Sequence, residues 1–147
     1  MDVEIVQAGG WVYYVGLDSF HEDDDGVGKW MFFFESDVEH PSDLCQKAVE
    51  SGVVNTAKHT DAIRAAMRGS GVACFYLNID DMDGHKRVIE FFLEHDMIRR
   101  TKAGRLYNIS FKLDDQTKSG KYGNDFKSKL TLDQLVDLNT GEWIADV

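Results

Sequence analysis

Residues Gly28-Lys29-Trp30-Met31-Phe32-Phe33-Phe34 set five large apolar side chains in a row with no alternation. A strand with one wet face reads apolar-polar-apolar, because successive side chains point to opposite faces. An unbroken run is instead covered on both faces, so this segment is expected in the middle of a sheet. That expectation constrains the rest of the chain, which must supply neighbouring strands and helices to cover them.

The chain has the material to do so. Its 147 residues suit one domain with a real core, expected over residues 1–147, and 43% of them are apolar. No apolar run approaches the roughly 18 residues of a membrane span. The start, Met1-Asp2-Val3-Glu4, lacks the basic and apolar pattern of a secretory leader, so a cytoplasmic location is expected. Cys45 and Cys74 lie far apart among apolar neighbours and read as two buried free thiols. The net charge of −10 is uneven: residues 1–50 hold 12 acids and 2 bases, and the remainder holds 14 of each. An acidic first third does not favour steering toward duplex nucleic acid.

Read in order, Trp11–Val15 is a first strand, 17–27 an acidic loop, and 29–35 the second strand. Ser36 or Asp37 can cap a helix with His40-Pro41 in its first turn, apolar positions Leu44, Cys45, Ala48 and Val49, and Gly52 at its end. Residues 53–58 form a third strand, and Thr60 or Asp61 caps a short helix, Ala62–Arg68, with Ile63, Ala66 and Met67 facing inward. Val72–Asn78 is a fourth strand. Asp80, Asp81 and Asp83 precede a second long helix with the stripe Val88, Ile89, Phe92 and Leu93. Tyr107, Ile109, Phe111 and Leu113 alternate in a fifth strand. Thr131 and Gln134 have capping-box spacing for a short helix over 132–138, and 142–144 can close the sheet. The fold class is α+β: a curved, mostly antiparallel sheet with two long helices packed on one face.

Three segments in order carry a family resemblance over residues 28–126. They are Gly28-Lys29-Trp30-Met31-Phe32-Phe33 before a helix, Asn55-Thr56-Ala57-Lys58 before a loop and an apolar strand, and the polar stretch from Phe111 to Asn124. This layout resembles the eukaryotic cap-binding translation initiation factor family, and more closely its offshoot with the same fold, the basophilic-leukaemia-expressed protein family. The resemblance implies a concave sheet face that takes the ligand. Cap binding in that family needs two loop tryptophans around a methylated guanine. Here Trp11, Trp30 and Trp143 all fall in expected strands, and the loops at 17–27 and 59–70 hold none. The base sandwich is missing, and cap binding itself is not expected.

A basic cluster is the leading functional candidate. Lys58 ends the third strand, and Arg64 and Arg68 share a helix face at i and i+4. Lys118, Lys121 and Lys127 lie in or just after the 114–125 loop, with Tyr122 able to stack on a base. In the fold that the resemblance implies, these segments approach one end of the concave face. Convergent cations with glycine N–H groups at Gly120 and Gly123 suit a phosphate. The plainer alternative is scattered surface lysines. Lys58 and His59 are adjacent, but strand neighbours point to opposite faces and should not meet on one substrate atom. The motifs of triads, P-loops and zinc sites are absent, and neither acidic run fits a calcium loop. His40, His85 and His95 read as surface or capping residues.

The leading reading is a non-enzymatic module that binds an anionic ligand, a nucleotide or phosphorylated group, on the concave sheet face through Lys58, Arg64, Arg68, Lys118, Lys121 and Tyr122. An alternative is an acidic interaction or inhibitor module that meets a basic partner through Glu22, Asp23, Asp24 and Asp25 in the 18–25 loop. An enzyme acting on phosphate esters is the third. No cofactor, metal or membrane partner is expected.

Overall fold

The computed structural model describes residues 3–16, 26–114 and 130–145. In chain order the elements are β1 (Val3–Ala8), β2 (Trp11–Gly16), β3 (Val27–Phe34), α1 (Glu39–Glu50), β4 (Thr56–Thr60), α2 (Ala62–Arg68), β5 (Gly71–Asn78), α3 (Met82–Glu94), β6 (Ser110–Leu113) and β7 (Leu130–Thr131), with a 3₁₀ turn at Leu132–Gln134. The strands form one antiparallel sheet in the order β1-β2-β4-β5-β3-β6-β7, so the architecture is α+β. The apolar run of β3 lies between β5 and β6, in the interior of the sheet. The chain separates into two compact units, residues 1–21 with 31–77 and residues 22–30 with 78–147.

The first unit begins with a strand outside the expected set. Val3–Ala8 pairs antiparallel with β2, from Val3 opposite Gly16 to Ala8 opposite Trp11. Gly9 and Gly10 alone make the turn, both at positive φ (61° and 88°), a conformation that glycine adopts without steric cost. β2 pairs with β4, Trp11 opposite Thr60 and Tyr13 opposite Lys58, and β4 pairs with β5, Lys58 opposite Cys74. α1 packs on one face of β2 and β4 through Leu44, Cys45, Ala48 and Val49, the stripe the sequence shows. Its first turn differs from expectation. Val38 occupies the N-cap, and the Asp37 carboxylate accepts from the Glu39 N–H at 3.0 Å. β4 starts three residues later than expected because Val53 still belongs to the end of α1, its N–H donating to the Ala48 carbonyl. Cys45 and Cys74 form no disulfide and are buried, and burial pushes the Cys45 thiol pKa up.

α2 starts and stops as its sequence demands. The Asp61 carboxylate caps the Arg64 N–H at 2.8 Å, and Gly69 ends the helix at φ 74°. Its inward face is not the expected one. Ile63 and Met67 are 71% and 82% exposed, and Ala65 alone is buried. A seven-residue helix turns too few times for spacing to decide between two candidate faces.

The second unit is organised around Trp30. Its indole is fully buried, and its N–H donates to Nδ1 of His85 at 3.0 Å. His85 Nε2–H in turn donates to the Ile79 carbonyl at 2.8 Å. Both imidazole nitrogens are thereby used, in one neutral tautomer. The Phe111 ring meets His85 edge-on at 4.9 Å and Trp30 at 5.5 Å. His85, expected as a surface or capping residue, is therefore a core residue of α3, beside Val88, Ile89 and Phe92. The sequence signal was weak because its position also fits the capped first turn that Asp81 closes by accepting the Gly84 N–H. Gly28 lies where a Cβ would come within 2.5 Å of the Phe111 ring and 2.7 Å of the Lys112 carbonyl, so β3 and β6 approach too closely for a side chain. The fifth strand shortens to Ser110–Leu113, leaving Tyr107 exposed. The Thr131/Gln134 capping box is present, and the closing strand reduces to a single bridge between Val136 and Trp143.

Burial lowers the pKa of both His59 and His85, against the opposing pull of a backbone carbonyl bond on each ring. The unfolded chain then takes up the protons first, near about pH 6.5. Stability is complete above that point and declines as pH falls toward the folded values, with a slope of at most about 1.4 kcal/mol per pH unit for each histidine. Urea midpoints measured between about pH 7.5 and 5.5 should fall with acidification; a flat profile would contradict the neutral, buried assignment.

Candidate anion-binding face

The two faces of β4 do different work. On the α1 side, His59 is buried with its Nδ1–H donating to the Thr60 carbonyl at 2.7 Å. Nε2 is then the acceptor and receives the Tyr14 hydroxyl at 3.1 Å. The Tyr14 oxygen in turn accepts from Ser42 on α1 at 2.5 Å. This chain of three hydrogen bonds ties α1 to the sheet, and burial raises the Tyr14 pKa so that the phenol keeps its proton.

On the other face, Lys58 stands in an aromatic setting. Its Nζ lies 3.9 Å from the Trp11 ring centroid, 5.5 Å from Tyr13 and 5.8 Å from Tyr76. Register explains the gathering. Tyr13 faces Lys58 directly across the β2–β4 pair, while Trp11 and Tyr76 are its diagonal neighbours on β2 and β5. Phe34 packs against His59 and Phe32 against His40 on the α1 side, so Met31 and Phe33 of β3 fall on the same face as Lys58. Phe33 is 58% exposed. Among the described residues this face, opposite α1, therefore combines the Lys58 ammonium with several half-exposed rings, the chemistry that holds an anion beside a flat, polarisable group.

Of the basic residues singled out by sequence, Lys58, Arg64 and Arg68 are described. Arg64 lies at the Trp11 end of the first unit, its guanidinium so close over Gly10 that a Cβ there would be 2.4 Å from Cζ. The Asp61 N–H donates to the Gly10 carbonyl at 2.9 Å and holds that end together. Lys58 and Arg64 thus border the same tryptophan-bearing corner of β2. Arg68 is exposed in the last turn of α2. Lys118, Lys121, Tyr122 and Lys127 lie outside the described residues, as do Glu22, Asp23, Asp24 and Asp25. Lys58 and His59 point to opposite faces, and both His59 nitrogens are engaged, so the pair offers no joint acid–base chemistry. Among the described residues no three His, Cys, Asp or Glu side chains gather to hold a metal.

Two basic features of the second unit were missed. Lys29, only 8% exposed, forms an ion pair with Asp114 at 2.9 Å and sits directly across from Lys112. A lysine inside an apolar strand run was its signal, since such a charge needs a partner. The second feature is a turn over 99–105 that carries Arg99, Arg100, Lys102 and Arg105, all exposed, closed by an antiparallel bridge between Arg100 and Leu106. Four cations in seven residues should have drawn attention in a chain of net charge −10. No family model matches this chain, and no curated protein matches its sequence. No helix among the described residues is long and apolar enough to cross a membrane.

A double-mutant cycle isolates the central contact of the face. Trp11→Leu and Lys58→Met should show a coupling of about 0.5–1 kcal/mol in chemical denaturation, as for a partly exposed cation–π pair. On the opposite face, Tyr14→Phe should cost about 1–2 kcal/mol, because it deprives both Ser42 and His59 of a partner; a neutral substitution would show that the hydrogen-bond chain is not structural.

Proposed function

We propose that this protein is a non-enzymatic binding module for an anionic ligand, a nucleotide or another phosphorylated group, carried on the sheet face of its first unit opposite α1. The observation that supports this reading most directly is the Lys58 ammonium lying 3.9 Å over the Trp11 ring, with Tyr13 and Tyr76 beside it. A phosphate pairs with the ammonium from the solvent side, while a base or other flat group lies on a neighbouring ring. Arg64 adds positive charge at the same corner, and Arg68, Lys118, Lys121 and Tyr122 complete the proposed set. The cap-binding-factor-like layout, with two long helices backing a concave sheet, is the fold hypothesis that accompanies this reading, without its paired loop tryptophans.

Ligand that binds only the folded state raises stability by about 2.7 kcal/mol at 100 times its Kd. A thermal-shift series with nucleoside mono-, di- and triphosphates and with inorganic tripolyphosphate should therefore raise the Tm. Lys58→Glu should abolish the rise for every anion. Trp11→Leu should reduce the response to nucleotides more than the response to tripolyphosphate. A chain whose Tm responds to none of these anions does not have this function.

A further inference from the structure

We infer that β1 is a self-association edge, along which two copies of this chain join their sheets through antiparallel β1–β1 pairing. β1 is first in the strand order, and among the described residues it pairs with β2 alone. The outer row of backbone N–H and C=O groups on such a strand is a template for another strand. Edge strands are usually blunted by lysine, proline, a bulge or inward charge. Val3-Glu4-Ile5-Val6-Gln7-Ala8 has none of these, and its ladder with β2 runs unbroken through all six residues. Ile5 is 53% and Val6 41% exposed, one on each face of the strand. Residues 3–16, the whole hairpin, carry a single charge, Glu4, in a chain of net charge −10.

That distribution of charge favours a second copy as the partner. A basic or acidic partner would find only Glu4 to recognise, whereas a second copy meets a nearly neutral edge that sets few like charges together. A two-fold axis normal to the sheet keeps each residue on its own face, so the paired positions must share parity. The register centred on Ile5 satisfies this. It sets Ile5 opposite the partner's Ile5, Val3 opposite the partner's Gln7, and Glu4 opposite the partner's Val6, so no like charges face one another. Both exposed aliphatic side chains are covered, and the edge that invites unselective pairing is closed by symmetry.

Sedimentation velocity across a concentration series should show a monomer–dimer equilibrium, and Ile5→Lys, at a half-exposed position, should leave a monomer with unchanged far-UV circular dichroism. A wild-type chain that stays monomeric at its highest soluble concentration overturns the inference, as does a dimer indifferent to Ile5→Lys. Cysteine trapping tests the register without depending on dimer affinity. Ile5→Cys brings two thiols face to face, within reach of a disulfide on mild oxidation. Val6→Cys leaves them offset by two residues, and the native Cys45 and Cys74 are buried. Trapped dimer from Ile5→Cys and little from Val6→Cys is the expected result. Trapping at position 6 in place of 5, or at neither, overturns it.

Discussion

Period-two alternation at Lys58-His59 governs the first unit. His59 is tolerable in the core because both ring nitrogens are bonded, one to the Thr60 carbonyl and one to the Tyr14 hydroxyl. Once His59 is committed to the α1 side, Lys58 must emerge on the opposite side, and the register then sets Tyr13 across from it with Trp11 and Tyr76 on the diagonals. A slip of one residue in β4 would bury the ammonium and expose the imidazole. The structural histidine and the candidate ligand-binding lysine are thus two outcomes of one register.

The second unit meets the same demand differently. Trp30 is the largest wholly buried side chain, and its N–H must find an acceptor. His85 supplies it and passes its own N–H to the backbone at Ile79, so a polar chain crosses an aromatic core without an unmatched group. Trp11 carries no such structural duty in the described contacts; its ring face is turned to the Lys58 ammonium on the sheet face opposite α1. The two tryptophans therefore differ: Trp30 is packed and bonded in the core, whereas Trp11 presents its ring to a cation.

Much of this was legible in the residues themselves. The β3 run could only be interior, and the apolar stripe of α1, Val88, Ile89 and Phe92 of α3 (with Phe91 buried in place of Leu93), the Asp61 and Asp81 caps and the Thr131/Gln134 box lie where local chemistry puts them. The opposite orientations of Lys58 and His59 followed from strand geometry alone. The failures share a cause. β1 carries Glu4 and Gln7 with both faces partly wet, so its alternation is poor, although Gly9-Gly10 between two β-prone runs marked the hairpin. His85 is buried by a long-range bond to Trp30, 55 residues away, which no local pattern contains.

Asp61 joins three elements through two short contacts. Its backbone N–H closes on the Gly10 carbonyl, its carboxylate caps α2 at Arg64, and the Arg64 guanidinium returns over Gly10. The hairpin turn, the end of β4 and the start of α2 consequently behave as one mechanical joint. A substitution at any of its three residues will be felt at the other two, so sequence drift at this corner should be concerted, with changes at positions 10, 61 and 64 accepted together or not at all.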